Sequence, residues 1–407
     1  MGSDLTRAAA VLIFLVTYAV LAVGRLPGFR IDRPAAAFLG AALMVAFGGL
    51  GLAEAWRAID MDTLALLLGM MVVVAALTRA GAFRLVVGWA VTRARHPLLL
   101  LAAIVLASGV LSAFLVNDTV CLVLTPLVLD LVARLRRRPV PYLLAIAMAA
   151  NVGSTATITG NPQNMLIGSF SGLSYRDFLL HLGPVALIGM LLDWLVIRLL
   201  CGAPHGAAAA APAEPPHMHL RELRKPAIVI ALVLAGFLSG VPPAMMAALG
   251  AALMLITRTR EPRLVYDEVD WGLLVFFVGL FLIVGGAERA GLTDDLATIA
   301  ARLNLQNAGI LTGLTALLSN IVSNVPAVML LKSLVPSFHN PRTGWMVLAM
   351  ASTLAGNLTI TGSVANLIVV ERARDEAHIG FWDYSRVGIP VTLLTLAVGW
   401  AWLGLVQ

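Results

Sequence analysis

Four stretches of the chain set amides and hydroxyls into otherwise apolar sequence: FLVNDTVCL (114–122), NVGSTATITGNPQN (151–164), IVSNVPAVM (321–329) and AGNLTITGSVAN (355–366). The first holds Asn117, Asp118 and Thr119; the second holds Asn151, Ser154, Thr155, Thr157, Thr159, Asn161 and Asn164. The third holds Ser323 and Asn324, and the fourth Asn357, Thr359, Thr361, Ser363 and Asn366. Carboxamides and hydroxyls donate and accept hydrogen bonds without carrying charge, so they suit a small solute or a partly dehydrated ion. No Ser/His, His-Glu or paired-Asp set recurs in these stretches, and the chain has no nucleotide loop or Rossmann fingerprint. The expectation is a protein that binds and moves a solute and is not an enzyme, with no cofactor beyond a sodium ion or a proton. Asp118 is the one carboxylate in the four stretches and the expected holder of that coupling ion.

Ser and Thr in membrane helices commonly bond back to the previous turn, so a lone Thr-x-Thr-Gly would say little. The second and fourth stretches also carry Gly153, Gly160 and Pro162, and Gly356 and Gly362, where a straight helix would not. They read as helix breaks. Backbone freed from helical bonding cannot face lipid, so it must be buried in protein or line a cavity. Half-helix N-termini then offer free N–H groups to an anion, while C-terminal carbonyls suit a cation. The backbone at Gly160 and Gly362 joins the expected binding set for that reason.

Positioning such groups takes a membrane scaffold. Of the 407 residues, 60% are hydrophobic and 12% charged, and the mean hydropathy is +0.92. That leaves too little polar surface to coat a water-exposed body, and the bacterial inner membrane is the expected location. A helix needs roughly 20 apolar residues to cross the hydrocarbon core. Candidate spans are 8–24, 35–51, 62–78, 141–170 and 179–200, then 226–240, 244–257, 271–288, 344–370 and 387–406. Two further apolar segments, 97–134 and 306–338, are interrupted at Asn117-Asp118-Thr119 and Ser323-Asn324-Val325 and read as re-entrant hairpins.

With both hairpins re-entrant, 21 of the 28 Lys and Arg residues fall on one side of the membrane and 7 on the other. The poorer side holds Arg7, Arg57, Arg176, Arg289, Arg302, Lys332 and Arg342. The positive-inside rule makes the richer side cytoplasmic and places both termini outside. The net charge of +6 therefore reports orientation rather than affinity for nucleic acid. Cys121 and Cys201 are too few for a disulfide framework or a cysteine metal site. Among ionisable groups near the spans, Asp130 is expected to pair with Arg134 one turn on, and Asp193 to sit at the inner interface near Arg198. Lys332 either snorkels to the outer surface or acts within the membrane.

The chain repeats itself. GAALM occurs at 40–44 and again at 250–254, and Asp60, Gly69 and Arg79-Ala80-Gly81 recur as Asp270, Gly279 and Arg289-Ala290-Gly291, all at an offset of 210. Asn117 matches Asn324 at 207; TITG at 157–160 matches TITG at 359–362 at 202, which sets Asn164 on Asn366. Five spans and one hairpin per copy make an odd number of crossings, so the second copy is inverted. The expected fold is an all-α polytopic membrane protein of two inverted repeats, each of five transmembrane helices plus one re-entrant hairpin, with broken helices at the midplane. The first repeat covers 1–201 and the second 225–407, joined by a cytoplasmic Ala/Pro/His linker over 202–224. His205, His217 and His219 in that linker read as solvated residues rather than a metal tract.

The paired tips, Asn117-Asp118-Thr119 and Asn324-Val325-Pro326, together with the duplicated TITG breaks, resemble the ion transporter superfamily over nearly the whole chain. The resemblance is nearest to its ArsB/NhaD-like anion permease branch, which is related to the divalent-anion/sodium symporters. The dicarboxylate branch has Ser-Asn-Thr at both tips, and Val116 and Val325 depart from that pattern. The resemblance implies an elevator-like motion of hairpins and broken helices against a scaffold, in a homodimer. The expected function is secondary transport of a small anion or oxyacid coupled to protons or sodium. Arsenite or antimonite efflux, sodium/proton antiport and a channel are its alternatives.

The charge split makes a direct prediction. Single cysteines placed near Arg57 and Arg176 label from outside the cell, whereas ones near Arg95, Arg137 and His217 do not. Labelling at Arg137 from the side opposite Arg95 would mean that 97–134 crosses the membrane, and the inverted arrangement would fail.

Overall fold

The computed structural model describes residues 2–24, 31–91, 96–202, 220–256 and 261–406. Within them lie twenty α-helices and no strand. The first ten are α1 (Gly2–Val23), α2 (Arg33–Phe47), α3 (Leu52–Ala58), α4 (Met61–Arg79), α5 (Ala82–Val91), α6 (Pro97–Phe114), α7 (Asn117–Arg134), α8 (Val140–Ser154), α9 (Pro162–Ser171) and α10 (Tyr175–Cys201). The second ten are α11 (Leu220–Leu238), α12 (Pro243–Leu255), α13 (Arg263–Tyr266), α14 (Trp271–Arg289), α15 (Leu292–Arg302), α16 (Ala308–Val322), α17 (Asn324–Leu331), α18 (Pro341–Leu354), α19 (Val364–Arg372) and α20 (Phe381–Leu405). Each helix of the first set has its counterpart ten places later. Six helices (α1, α4, α6, α10, α14 and α20) are long and apolar enough to cross a membrane.

Local chemistry sets the helix ends in the same way twice. Asp60 accepts from Thr63 N at 3.0 Å to start α4, and Asp270 accepts from Leu273 N at 2.9 Å to start α14. The Arg-Ala-Gly runs stop both helices, with Gly81 at φ +85° and Gly291 at φ +82°, a left-handed turn that glycine adopts freely. The short amphipathic helices α5 and α15 follow those turns. They and the one- to two-turn helices α3 and α13 were not among the expected elements, because each is too short or too charged to register as a span. α11 starts at Leu220, inside the segment read as linker, and residues 203–219 of that linker lie outside the described residues.

The two halves interlock reciprocally. α4 packs along α12 and α2 packs along α14. A Cβ on Gly69 would lie 2.6 Å from the carbonyl carbon of Ala247, and one on Gly279 would lie 2.7 Å from that of Ala37. The offset of 210 that carries Gly69 to Gly279 also carries Ala37 to Ala247, so each contact maps onto the other with the halves exchanged. α10 and α20 cross antiparallel at the centre, where Gly189 faces Thr395 and Trp402 Nε1 donates to His181 O at 2.9 Å.

Five ion pairs join distant parts of the chain: Arg7–Asp295, Arg79–Glu268, Arg289–Glu54, Lys332–Glu288 and Arg342–Asp177. Each couples two groups that the charge count puts on one side of the membrane. Asp130 pairs with Arg134 as expected, at 2.9 Å. Asp193 does not lie at an interface: it is 0% exposed, and Arg198 turns instead over the Trp194 ring at 5.5 Å. Lys332 does not snorkel either. Its side chain is 12% exposed, 3.5 Å from Glu288 and 4.1 Å from the centre of the Phe170 ring. Arg25, Arg30, Arg93, Arg95, Arg258 and Arg260, with His205, His217 and His219, fall outside the described residues.

The interlock can be tested by adding one carbon. Gly69→Ala and Gly279→Ala each lower stability by about 1–3 kcal/mol, since the methyl meets backbone that cannot step aside. Gly313→Ala in α16, whose Cβ meets nothing within 4 Å, raises it by about 0.5–1 kcal/mol. Thermal unfolding of the detergent-solubilised protein reads all three.

Candidate functional site

The expected breaks are present. α8 stops at Ser154, a 3₁₀ turn spans Ile158–Gly160, and α9 resumes at Pro162; α18 stops at Leu354, turns at Ala355–Asn357 and Ile360–Gly362, and α19 resumes at Val364. Two asparagines hold these breaks. Asn164 Nδ2 donates to the carbonyls of Ser154 and Thr157, both at 3.1 Å. Asn366 Nδ2 donates to those of Gly356 at 2.7 Å and Thr359 at 3.1 Å, the same two positions in the other copy. The side chains replace the main-chain bonds lost at the break, which buried backbone requires.

Between the two breaks runs a buried polar network. Asn151 accepts from Asn117 Nδ2 and from Ser363 Oγ, both at 3.0 Å, and donates to Asn357 at 2.9 Å and Asn366 at 3.0 Å. Thr353, absent from the expected set, mirrors Asn151: it receives Asn161 Nδ2 at 3.1 Å and donates to Asn164 at 3.4 Å. The offset of 202 was the signal that could have found it, since it carries Asn151 to Thr353. Gln163, also unanticipated, donates to Thr353 at 3.2 Å.

The hydroxyls are mostly spent locally. Ser154 and Thr155 bond back to Asn151 O, and Thr157 donates to Ala113 O. Thr159 meets the Tyr175 hydroxyl at 2.9 Å. On the other side Thr359 lies 3.3 Å from an exposed Thr361 and 3.5 Å from Asn320, whose amide donates to Ala355 O at 2.9 Å.

The helix junctions complete the site. Leu115 and Val116 join α6 to α7, and Ser323 alone joins α16 to α17, at φ +78° and ψ 160°. That conformation is nearly reserved for glycine and costs on the order of 1–3 kcal/mol in a serine. In the amide orientation that satisfies both ends, Asn324 donates to Ser352 O at 3.0 Å and Gly362 O at 3.3 Å.

A cavity of about 200 Å³ lies where these parts meet. Its wall takes Asn117 and Asp118 from α7, Pro162 and Gln163 from α9, Asn324 and Val325 from α17 with Ser323 just before it, and Val364 from α19 with Ser363 just before it. Four helix N-termini thus converge on one space. Those of α7, α17 and α19 carry no side-chain cap, so their first N–H groups are free for a ligand; Asn161 caps α9. Asn117 Oδ1, buried beside the cavity, has no partner. Arg33, Pro34, Asp270, Leu273 and Phe276 close the wall, and none of them was expected. Arg33 and Asp270 sit at helix starts, remote from every polar cluster in the sequence. A second cavity of about 390 Å³ takes Asp118, Thr119, Asp267, Glu268 and Asp270.

The expected residues therefore divide in two. Asn117, Asp118, Ser323, Asn324 and Ser363 border the cavity; Thr119 faces the neighbouring one. Asn151, Ser154, Thr155, Thr157, Thr159, Gly160, Asn161, Asn164, Asn357, Thr359, Thr361, Gly362 and Asn366 stand behind it or away from it.

Residues 12–355 match a family model described as a citrate transporter, CitMHS. An uncharacterized transporter of Mycobacterium tuberculosis is 33% identical, over 97% of this chain and 98% of its own. The silicon efflux transporter LSI3 of rice, Oryza sativa subsp. japonica, is 30% identical over 92% of each chain. Among solved structures, the Alcanivorax borkumensis YdaH transporter, reported to have an unusual topology, superposes with a TM-score of 0.67 at 16% identity. That match covers 100% of this chain and 98% of YdaH.

Network and cavity predict different losses. Asn117→Ala and Asn324→Ala weaken solute binding by one to two decades, the worth of about 1–3 kcal/mol, and leave the fold intact. Asn151→Ala strips four partners at once and lowers the unfolding temperature before it changes affinity. Binding titration beside thermal unfolding separates the two.

Proposed function

The chain belongs to the CitMHS citrate transporter family, a group of membrane transporters within the ion transporter superfamily, and from that membership we propose that it is a secondary transporter of a small oxyacid coupled to protons. The observation that carries the reading is the cavity wall: three uncapped helix N-termini supply donors, while Asn117 Oδ1, Asp118 and Asp270 supply acceptors. A solute bearing both O–H groups and oxygen lone pairs satisfies such a wall; a bare anion satisfies only half of it. Two carboxylates against one guanidinium, Arg33, also leave the wall unsuited to a multiply charged anion unless protons accompany it. Silicon dissolves as a neutral oxyacid, and a relative named for its efflux supports the same class. Arsenite, likewise a neutral oxyacid at neutral pH, fits the wall equally. A carboxylate solute is the second reading, favoured by the family description and by Arg33.

The two ends of the site differ in a way that fits alternating access. On the side read as external, Ser169 donates to Asp60 at 2.6 Å and Lys332 bridges Phe170 and Glu288. On the side read as cytoplasmic, the cavity reaches the surface at the exposed Asp270 and Val364. The repeat offsets carry Asp60 to Asp270 and Ser169 to Glu371. If the halves exchange roles, closing the inner side brings two carboxylates together where the outer side has a serine and a carboxylate. Two facing carboxylates share a proton, which ties closure to protonation. An elevator-like displacement of the hairpins and broken helices, in a homodimer, is the motion this reading assumes.

The test is transport by the reconstituted protein. Proteoliposomes accumulate silicic or arsenous acid when a pH gradient is imposed, and do so with saturation. Asp118→Asn keeps exchange between equal pools and loses the accumulation. Saturable uptake of citrate alone would replace the oxyacid reading with the carboxylate one, and flux without saturation or proton dependence would indicate a channel.

A further inference from the structure

Asp193 stands apart from the site just described. It lies in α10, 0% exposed, and neither carboxylate oxygen has a hydrogen-bond partner. The Tyr384 hydroxyl on α20 is buried as well, within electrostatic reach of Asp193 and Cys121 and beside Asn366. A buried carboxylate with neither oxygen partnered, inside apolar packing, is costly and calls for a use.

The groups packed around α10 do not neutralise Asp193. On α20, Asp383 caps Gly380 N and Arg386 turns to Cys201. On α8, Tyr142 meets Arg137; α6 contributes no ionisable side chain. On α11, Lys225 donates to the carbonyls of Met254 and Ile256, and Glu222 and Arg224 are exposed. On α18, Arg342 pairs with Asp177 at the far end of α10, and Arg198 covers Trp194. An ionised carboxylate enclosed in this way would bear the full desolvation cost.

Packing does not demand the acid. The offset of 206 that sets Pro184 on Pro390 and Trp194 on Trp400 sets Asp193 on Gly399. The second repeat manages the same position without a side chain. Two short routes lead from Asp193 to the cavity. Tyr384 is within electrostatic reach of Cys121, which is one turn after Asp118 on α7; Tyr384 also lies beside Asn366, which binds Asn151, which binds Asn117.

We infer that Asp193 is a second proton-binding site of the transporter, joined to the central cavity through Tyr384. The inference rests on the proton-coupled reading above and gives the cycle two acids, Asp118 and Asp193, where the sequence offered one. Hydroxyl, thiol and carboxamide groups are the chemistry that passes a proton between them.

Infrared spectra of the reconstituted protein, taken without solute between about pH 5 and 9, test it directly. The carbonyl stretch of protonated carboxyls should contain one component removed by Asp193→Asn and another removed by Asp118→Asn. The Asp193 component should fall as pH rises and should shift in deuterated buffer. Tyr384→Phe, which keeps the ring, should slow that deuterium shift and provides the readout if Asp193→Asn fails to fold. An Asp193 component that is constant with pH, or a deuterium shift unchanged in Tyr384→Phe, overturns the inference. Because no solute is present, failure of the oxyacid reading would appear separately, as a transport assay that accumulates none of the oxyacids.

Discussion

Asn164 and Asn366 each turn one carboxamide onto two main-chain carbonyls across a helix break, and the centre of the molecule depends on those four bonds. An interrupted helix in apolar surroundings leaves carbonyls and N–H groups that water cannot reach, at several kcal/mol each. Satisfying the carbonyl end with a side chain makes the break affordable. The N–H end of α19 is then left free to face the cavity, whereas Asn161 caps that of α9.

The two copies use this device unequally. Asn161 caps α9 from within, whereas its counterpart Ser363 reaches across to Asn151 and leaves α19 open. Thr159 is sealed by Tyr175, while the equivalent Thr361 is exposed. Equivalent positions in the two copies therefore have different surroundings. The strained Ser323 lies at the same place, at the single-residue junction where α17 begins. Strain of this kind persists only where surrounding contacts fix it, and the bonds of Asn324 to α18 and to Gly362 do so.

Charge is used sparingly and by position. The long-range ion pairs stay near the two ends, where both partners keep some exposure, as with Arg79 and Glu268 at 2.7 Å. At the centre, uncharged amides carry the network and only Arg33, Asp118 and Asp270 bring formal charge to the cavity. Amides can be satisfied in pairs without counter-ions, so the network costs little to bury and still specifies geometry. Each buried acid, by contrast, becomes a group whose proton matters.

The helices, their breaks and their duplication were legible in the residues, because hydropathy, proline, glycine and repeat offsets are local or periodic signals. TITG at two positions located both breaks, and the Asn117 and Asn324 positions located both helix junctions. Which polar side chains meet solute was not legible. Thirteen residues read as one lining lie outside the cavity wall, since bonding back to a previous turn and bonding across a cavity look alike in one dimension. Arg33 and Asp270 reach the cavity from helix starts far away in sequence, and Asp193 is interior only through the packing of other helices on α10. Burial and convergence are properties of several elements at once, and only the packed chain decides them.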